Sequence, residues 1–140
     1  MNEDNLPARY APHVLSIVRI VCALLFMEHG LSRLFGFPAP LQTPPFLTMY
    51  WFAGAIELVC GALMAVGLFT RAAAFVASGE MAFAYFMSHA PHGFFPIINR
   101  GDGAILYCFI FFYIAFAGAG PWSLDALLTR QRPRVLRPAE

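Results

Sequence analysis

The sequence contains no lysine, and charged residues make up only 12% of its 140 positions. A soluble domain carries about 25%. That inventory cannot build the mixed-charge surface that keeps a domain in water. Nucleic-acid binding is excluded on similar grounds. The one basic stretch, "RQRPRVLRPAE", holds four arginines, too few and too short for a phosphate-tracking face. It suits a cytoplasmic juxtamembrane tail. Cysteine is scarce too: Cys22, Cys60 and Cys108 each lie in an apolar run, with no C-x-x-C. No disulfide framework is indicated, and plain packing outweighs a Cys22–Cys60 redox pair. No flavin, haem or iron–sulfur motif is visible. The N-terminus, "MNEDNLPARYAPH", carries Glu3 and Asp4 in place of a basic region, and the apolar run behind it leads to Glu28. A signal peptide is therefore not expected.

What is present is apolar surface. Hydrophobic residues make up 59% and the mean hydropathy is +0.64, which describes an integral membrane protein in contact with the lipid bilayer. Four apolar segments are each near the roughly 20 residues a helix needs to cross a bilayer. Lipid offers open backbone groups no partner, so helices are the default. The expected fold is all-α, a four-helix membrane bundle with helices at about 13–36, 47–69, 72–90 and 103–120. Residues 1–12 form a cytoplasmic tail, 13–125 the membrane domain and 126–140 a basic tail. "GFPAPLQTPPF", "TR" and "PHGFFPIINRGD" are the connections, and Asp102 is placed to cap the last helix. Arg9, Arg71, Arg130, Arg132, Arg134 and Arg137 fall on one side and only Arg33 and Arg100 on the other. Both termini are then cytoplasmic, with the bacterial inner membrane as the expected location. Trp51 and Trp122 suit the interfacial belts.

Five ionisable groups nevertheless lie within the predicted spans: Arg19, Glu28, His29, Glu57 and Glu80, with Arg33 near an end. Each charge at a helix centre costs about 2.5–3.5 kcal/mol on insertion scales, so mutual clustering is expected. At about 1.5 Å per residue, Glu57 is level with Glu28 and His29 to within about 5 Å, and Arg19 is level with Glu80. Arg19, Cys22, Phe26, His29, Gly30 and Arg33 share one face of the first helix, whereas Glu28 points to another neighbour. Tyr50, Gly54, Glu57, Cys60, Gly61 and Met64 share a face of the second, where the glycines allow close approach. Ala73, Ala77, Glu80, Ala84 and Met87 line up on the third. The fourth helix contributes Tyr107, Cys108 and Tyr113. The acids outnumber the bases once Arg33 is assigned to the interface. At least one of Glu28, Glu57 and Glu80 is then expected to hold its proton at neutral pH. Intramembrane charges mark a functional pocket, with structural ion pairs as the alternative. His89 and His92 of "HAPH" are weak metal candidates, because Pro91 ends the helix between them. No metal site is predicted.

The motifs resemble the DoxX family. "HGLSRLFGF" looks like the ending of its first helix and "AIELVCGALMAVGLFTRAAA" like its second helix and turn. "MAFAYFMSHAPHGFFPIINRGDGAILYCF" and "GAGPWSLDALL" look like its third and fourth helices and its Ser-Leu-Asp ending. The match covers about residues 13–128 and carries over His29, Gly30, Arg33, Glu57, Arg71, His89, Ser123 and Asp125. Arg33 stands where lysine is common, and Asp102 where glutamate is common. Glu28 and Glu80 are not family marks. The resemblance implies a four-helix membrane protein similar to subunits of thiosulfate:quinone oxidoreductases. On that footing His29 and Glu57 are the catalytic candidates. Arg19, Phe26, Glu28, Arg33, Tyr50, Glu80 and Tyr107 would line a quinone pocket. A redox centre would lie in a soluble or membrane partner protein, and this chain would be an accessory subunit, with a homo-oligomer compatible. Proton or small-solute transport and a non-catalytic scaffold are the alternatives.

Overall fold

The computed structural model describes residues 6–40 and 44–130, so Arg132, Arg134 and Arg137 of the basic tail lie outside the described residues, as do Glu3 and Asp4. Every regular element among the described residues is helical. Helix α1 spans Leu6–Phe35, α2 Met49–Val66 and α3 Thr70–Ala84. A π-helical turn, Tyr85–His89, and a 3-10 turn, Ala90–His92, follow; α4 is one turn, Pro96–Asn99. Helix α5 spans Asp102–Ala117 and α6 Leu124–Arg130. Helices α1 and α2 are long and apolar enough to cross a membrane, and α5 is a shorter apolar helix. Helix α1 packs on α2, α2 on α3, α3 on α5, and α5 touches α1 again.

The molecule is apolar on the outside. Its core is Ala23, Phe26, Cys60, Met64, Ala73, Ala74, Ala77, Met81, Phe111 and Ile114, and no leucine or valine among the described residues is buried. Val21, Leu24, Phe52, Val59, Phe75 and Phe109 all face outward. In water such a surface would be untenable; against lipid it is the expected one.

Small residues bring the helices together. The buried stripe of α1 is Ser16, Arg19, Ala23, Phe26 and Gly30, a three-and-four spacing that keeps one face on its neighbours. A Cβ at Gly30 would lie 2.6 Å from Leu58 N, and one at Gly61 2.8 Å from Met27 Cβ. The α1 and α2 backbones therefore meet at these glycines. Gly54, Glu57, Cys60, Gly61 and Met64 are buried on α2, as their shared face predicts, but Tyr50 is exposed. On α3 Ala73 and Ala77 are buried, Glu80 and Ala84 are half-buried, and Met87 is exposed. Phe26 packs edge-on against Phe111 at 4.8 Å, and the Ser78 hydroxyl donates to Cys108 O at 2.8 Å.

The end of the molecule near the α1 start is tied by side chains bonded to backbone. Helix α2 closes with Gly67 at φ +71°, and the N–H groups of Gly67 and Leu68 return to Met64 O and Leu63 O, which satisfies two terminal carbonyls. Arg19, fully buried, donates to Met64 O, to Ala65 O at 3.0 Å, to Ala119 O at 2.8 Å and to Trp122 O at 2.5 Å. Arg71 donates to Ala115 O and Phe116 O in the last turn of α5. Ser123 caps α6 through the Ala126 N–H at 3.2 Å. Asp125 accepts from Phe69 N and Thr70 N, both at 2.9 Å, and so caps α3 from another helix.

Three expectations need correction. Helix α1 starts at Leu6, not near residue 13; Pro7 lies in the first turn, where its missing N–H costs nothing. A further helix, α6, occupies residues where only the membrane domain's end and a basic tail were expected. Asp102 is the first residue of α5 and makes no capping bond; Gly101 is the cap, its N–H held by Asn99 Oδ1 at 2.8 Å. The Asp102 charge still favours the positive end of the helix dipole.

Candidate functional site

At the opposite end from Arg19, α1, α2, α3, the loop after α3, and α5 surround a cavity of about 420 Å³. Its floor is the one ion pair among the described residues: Arg33 Nη2 lies 3.2 Å from Glu57 Oε1. Glu57 is only 2% exposed and Arg33 25%. The pair depends on Gly54, one turn before Glu57. A Cβ at Gly54 would lie 3.1 Å from Arg33 Cδ, so the missing side chain is the space through which Arg33 crosses α2. Three polar atoms of the charged residues here are buried without a partner: Arg33 Nε, Glu57 Oε2 and Glu80 Oε2. Each is a group that pairing would stabilise.

Two histidines border the same space. His29 Nδ1 lies 2.8 Å from Leu25 O, one turn back on α1, and its ring meets Tyr107 edge-on at 6.3 Å. His89 Nδ1 lies 3.0 Å from Asn99 O. A carbonyl only accepts, so in both rings Nδ1 carries the hydrogen. Tyr107 stacks on Phe111 at 5.4 Å and leans on Phe26 at 5.9 Å, giving the cavity an aromatic wall.

The loop after α3 is a built support. Asn99 is buried, and its amide donates to Gly93 O at 2.8 Å and contacts Tyr85 Oη at 3.5 Å, while its oxygen takes the Gly101 N–H. A Cβ at Gly101 would sit 2.6 Å from the Tyr85 ring. Glycine is thus required for the Tyr85–His89 turn to close against α5. Arg100, in the left-handed region at φ 58°, is thereby held on the cavity wall.

Of the residues singled out from sequence, His29, Glu57, Phe26, Arg33, Tyr50, Glu80 and Tyr107 line this one cavity. Arg19 and Glu28 do not. Arg19 does not meet Glu80; its donors are taken by four carbonyls at the other end, acceptors that no residue type in a sequence reveals. Glu28 is exposed and not part of the cavity lining, and Glu57 pairs with Arg33 rather than with it. His89 lines the cavity and His92 does not. Among the described residues no group of three His, Cys, Asp or Glu side chains could hold a metal ion. Cys22, Cys60 and Cys108 are free thiols. Sequence reading missed Ser88, Met81 and Arg100 as wall residues. For Arg100 a signal existed, since it and Arg33 are the only arginines assigned to that end.

Outside the membrane-crossing helices, one titrating group is shaped by its contacts. Burial pushes the Asp125 carboxyl up, but the bonds from Thr70 and Phe69 and the Arg19 charge outweigh it. Together they hold Asp125 below the usual aspartate range.

Comparison with known proteins agrees with the apolar exterior. An uncharacterised protein of Haemophilus influenzae is 44% identical over 126 residues, covering 84% of this chain and 92% of its own length. An uncharacterised membrane protein of Mycobacterium tuberculosis is 30% identical, covering 90% of this chain and 87% of its own. No solved structure matches. The DoxX family model matches residues 14–90, which include His29, Arg33, Glu57, Glu80 and His89, and the chain is accordingly a membrane protein that belongs to the DoxX family.

Proposed function

We propose that this chain is the membrane subunit of a quinone-linked oxidoreductase and that the cavity seats the quinone ring. The observation that carries this reading is the Arg33–Glu57 pair, buried and incompletely satisfied, on the wall of an aromatic-sided cavity. Ligand cavities typically run about 300–1,000 Å³, mostly apolar with a few placed polar groups.

Tyr107 and Phe26 hold the ring plane, and Arg33 donates to a ring oxygen. Glu57 and His29 handle the protons that accompany electron transfer. His29 acts first as an acceptor, since its Nδ1–H is committed to Leu25 O. It donates to a carbonyl only after gaining a proton. Electrons come from a redox partner protein in the same complex.

The same reading places four helices across the bacterial inner membrane as a bundle with both termini cytoplasmic. Residues 1–12 and 126–140 flank a membrane domain of 13–125. Helix α3 continues through its π turn to His89, a run about 30 Å long. Arg9, Arg71 and Arg130 lie at the Arg19 end, Arg33 and Arg100 at the other, as the positive-inside bias requires. A transport path is less well supported. Met64, Ala77, Phe111 and Ile114 separate the cavity from the Arg19 end with apolar packing.

The test is a titration of short-chain quinone into the purified protein in lipid nanodiscs. Glu57→Gln keeps the shape of the side chain and removes its charge. The expected result is a Kd at least tenfold higher than wild type; an unchanged Kd overturns the reading.

A further inference from the structure

Resting on that quinone reading, we infer that the cavity opens sideways into the bilayer between α2 and α3, and that its ligand is a long-tailed quinone whose chain leaves through this opening. Helix faces locate the opening. On α2, Gly54 and Gly61 are turned to α1, where added Cβ atoms would meet Arg33 and Leu34 in one case and Met27 in the other. Met49 stands five positions before Gly54, about 140° away around the helix at about 100° per residue. On α3, the Ser78 hydroxyl donates to Cys108 O of α5. Phe83 stands five positions after Ser78 and is likewise about 140° from that contact. Met49 therefore does not face α1, and Phe83 does not face α5. Both line the cavity, which leaves the α2–α3 seam as their place.

This part of the seam is a rim as well as a wall. Met49, Tyr50 and Phe83 line the cavity yet are 44%, 49% and 53% exposed. The lining residues beside them are Ala53 and Ala84, whose side chains are too short to bridge two helices. Among these five side chains the Tyr50 hydroxyl is the one polar group. Phe52 and Phe86, their neighbours in sequence, are exposed as well, so the rim is continuous with the apolar exterior that meets lipid. Ala53 lies about 6 Å along α2 from its start, which puts the opening below the end of the bundle. The other sides of the cavity differ. His29 and Tyr107 meet at 6.3 Å and Phe26 leans on Tyr107 at 5.9 Å, so rings occupy the α1–α5 seam. On the loop side Ser88, His89 and Arg100 bring polar side chains to the wall. A ring bearing oxygens and an apolar chain matches this division. The ring meets the polar walls, and the chain runs out past Met49 and Phe83 without entering water.

The test is photo-cross-linking in nanodiscs with a ubiquinone that carries a diazirine on the first isoprene unit of its tail. The expected label falls on the α2 peptide holding Met49–Ala53 and the α3 peptide holding Phe83–Ala84, and excess unmodified ubiquinone abolishes it. Competed label on His29 and Tyr107, or on the loop carrying Arg100, overturns the α2–α3 opening and leaves the quinone reading standing. Label that no competitor reduces, wherever it falls, overturns both. Ala53→Leu supplies a second measurement, because it narrows the seam. It should raise the Kd of a ubiquinone with two isoprene units at least tenfold more than that of the same ring without a tail. Equal effects on the two ligands, or none, contradict the opening. The wild-type cross-linking decides the inference if the variant fails to fold.

Discussion

Arg19 and Arg33 are both arginines in an apolar helix, yet their partners differ in kind. Arg33 meets a carboxylate; Arg19 meets only backbone carbonyls, two of them in the last turn of α2. Five fixed donors suit a guanidinium to either task, and terminal carbonyls carry the negative end of the helix dipole. Helical spacing alone puts Arg19 and Arg33 on one face, and that much was legible. The partner of Arg19 was not, because carbonyls exist at every position and only the fold selects four of them. Asp125 shows the converse case. Its Ser-Leu-Asp setting was noticed as a motif, while its task, capping α3 from the start of α6, needs the two helices in place. Because contacts hold its carboxyl below the ordinary range, the stabilisation it provides is complete above about pH 4 and fades as pH falls through the lowered value. Thermal unfolding in detergent should therefore show wild type above Asp125→Asn near neutrality, with the gap narrowing as the pH falls below the ordinary aspartate range. A gap that stays undiminished down to the most acidic pH at which the protein remains folded would remove Asp125 from the account.

The helices themselves were largely readable, since long apolar runs in lipid leave no other option. The close approach of α1 and α2 was readable in part, from Gly54 and Gly61. Gly30, which helical spacing places on the same α1 face as Arg19 and Phe26, is the tightest point of the α1–α2 contact: a Cβ there would lie 2.6 Å from Leu58 N and 2.7 Å from Gly54 O, backbone atoms that cannot swing away. Gly30→Ala should destabilise by about 1–3 kcal/mol, as overpacking does. Gly79, with nothing within 4 Å of its added Cβ, is the matched control. Gly79→Ala should be neutral or stabilise by about 0.5–1 kcal/mol through helix propensity. Thermal unfolding of both variants checks this, and similar losses in the two would argue against the close α1–α2 contact. The π turn at Tyr85–His89 was not readable. It is held by Asn99 and by the absence of a side chain at Gly101. Both lie downstream of it, and no local propensity announces them. Such turns often sit at functional sites, and this one carries Ser88 and His89 onto the cavity wall.

At the scale of the molecule, one end is closed by arginines and an aspartate bonded to helix ends, and the other holds a cavity with unsatisfied charge. An apolar core of alanines, phenylalanines and methionines lies between. Seven of the nine residues chosen from sequence line the cavity, whereas Arg19 belongs to the tied end and Glu28 is exposed outside the cavity lining. The central claim is that a quinone ring occupies the cavity. The most direct measurement is photo-cross-linking of the nanodisc-embedded protein with an azido-quinone, followed by mass spectrometry of its peptides. The label should fall on the segments carrying Phe26–Arg33, Tyr50–Glu57 and Gly103–Tyr107, and excess unmodified quinone should abolish it. Label confined to α6 or spread over the lipid-facing side chains, undiminished by competitor, would contradict it.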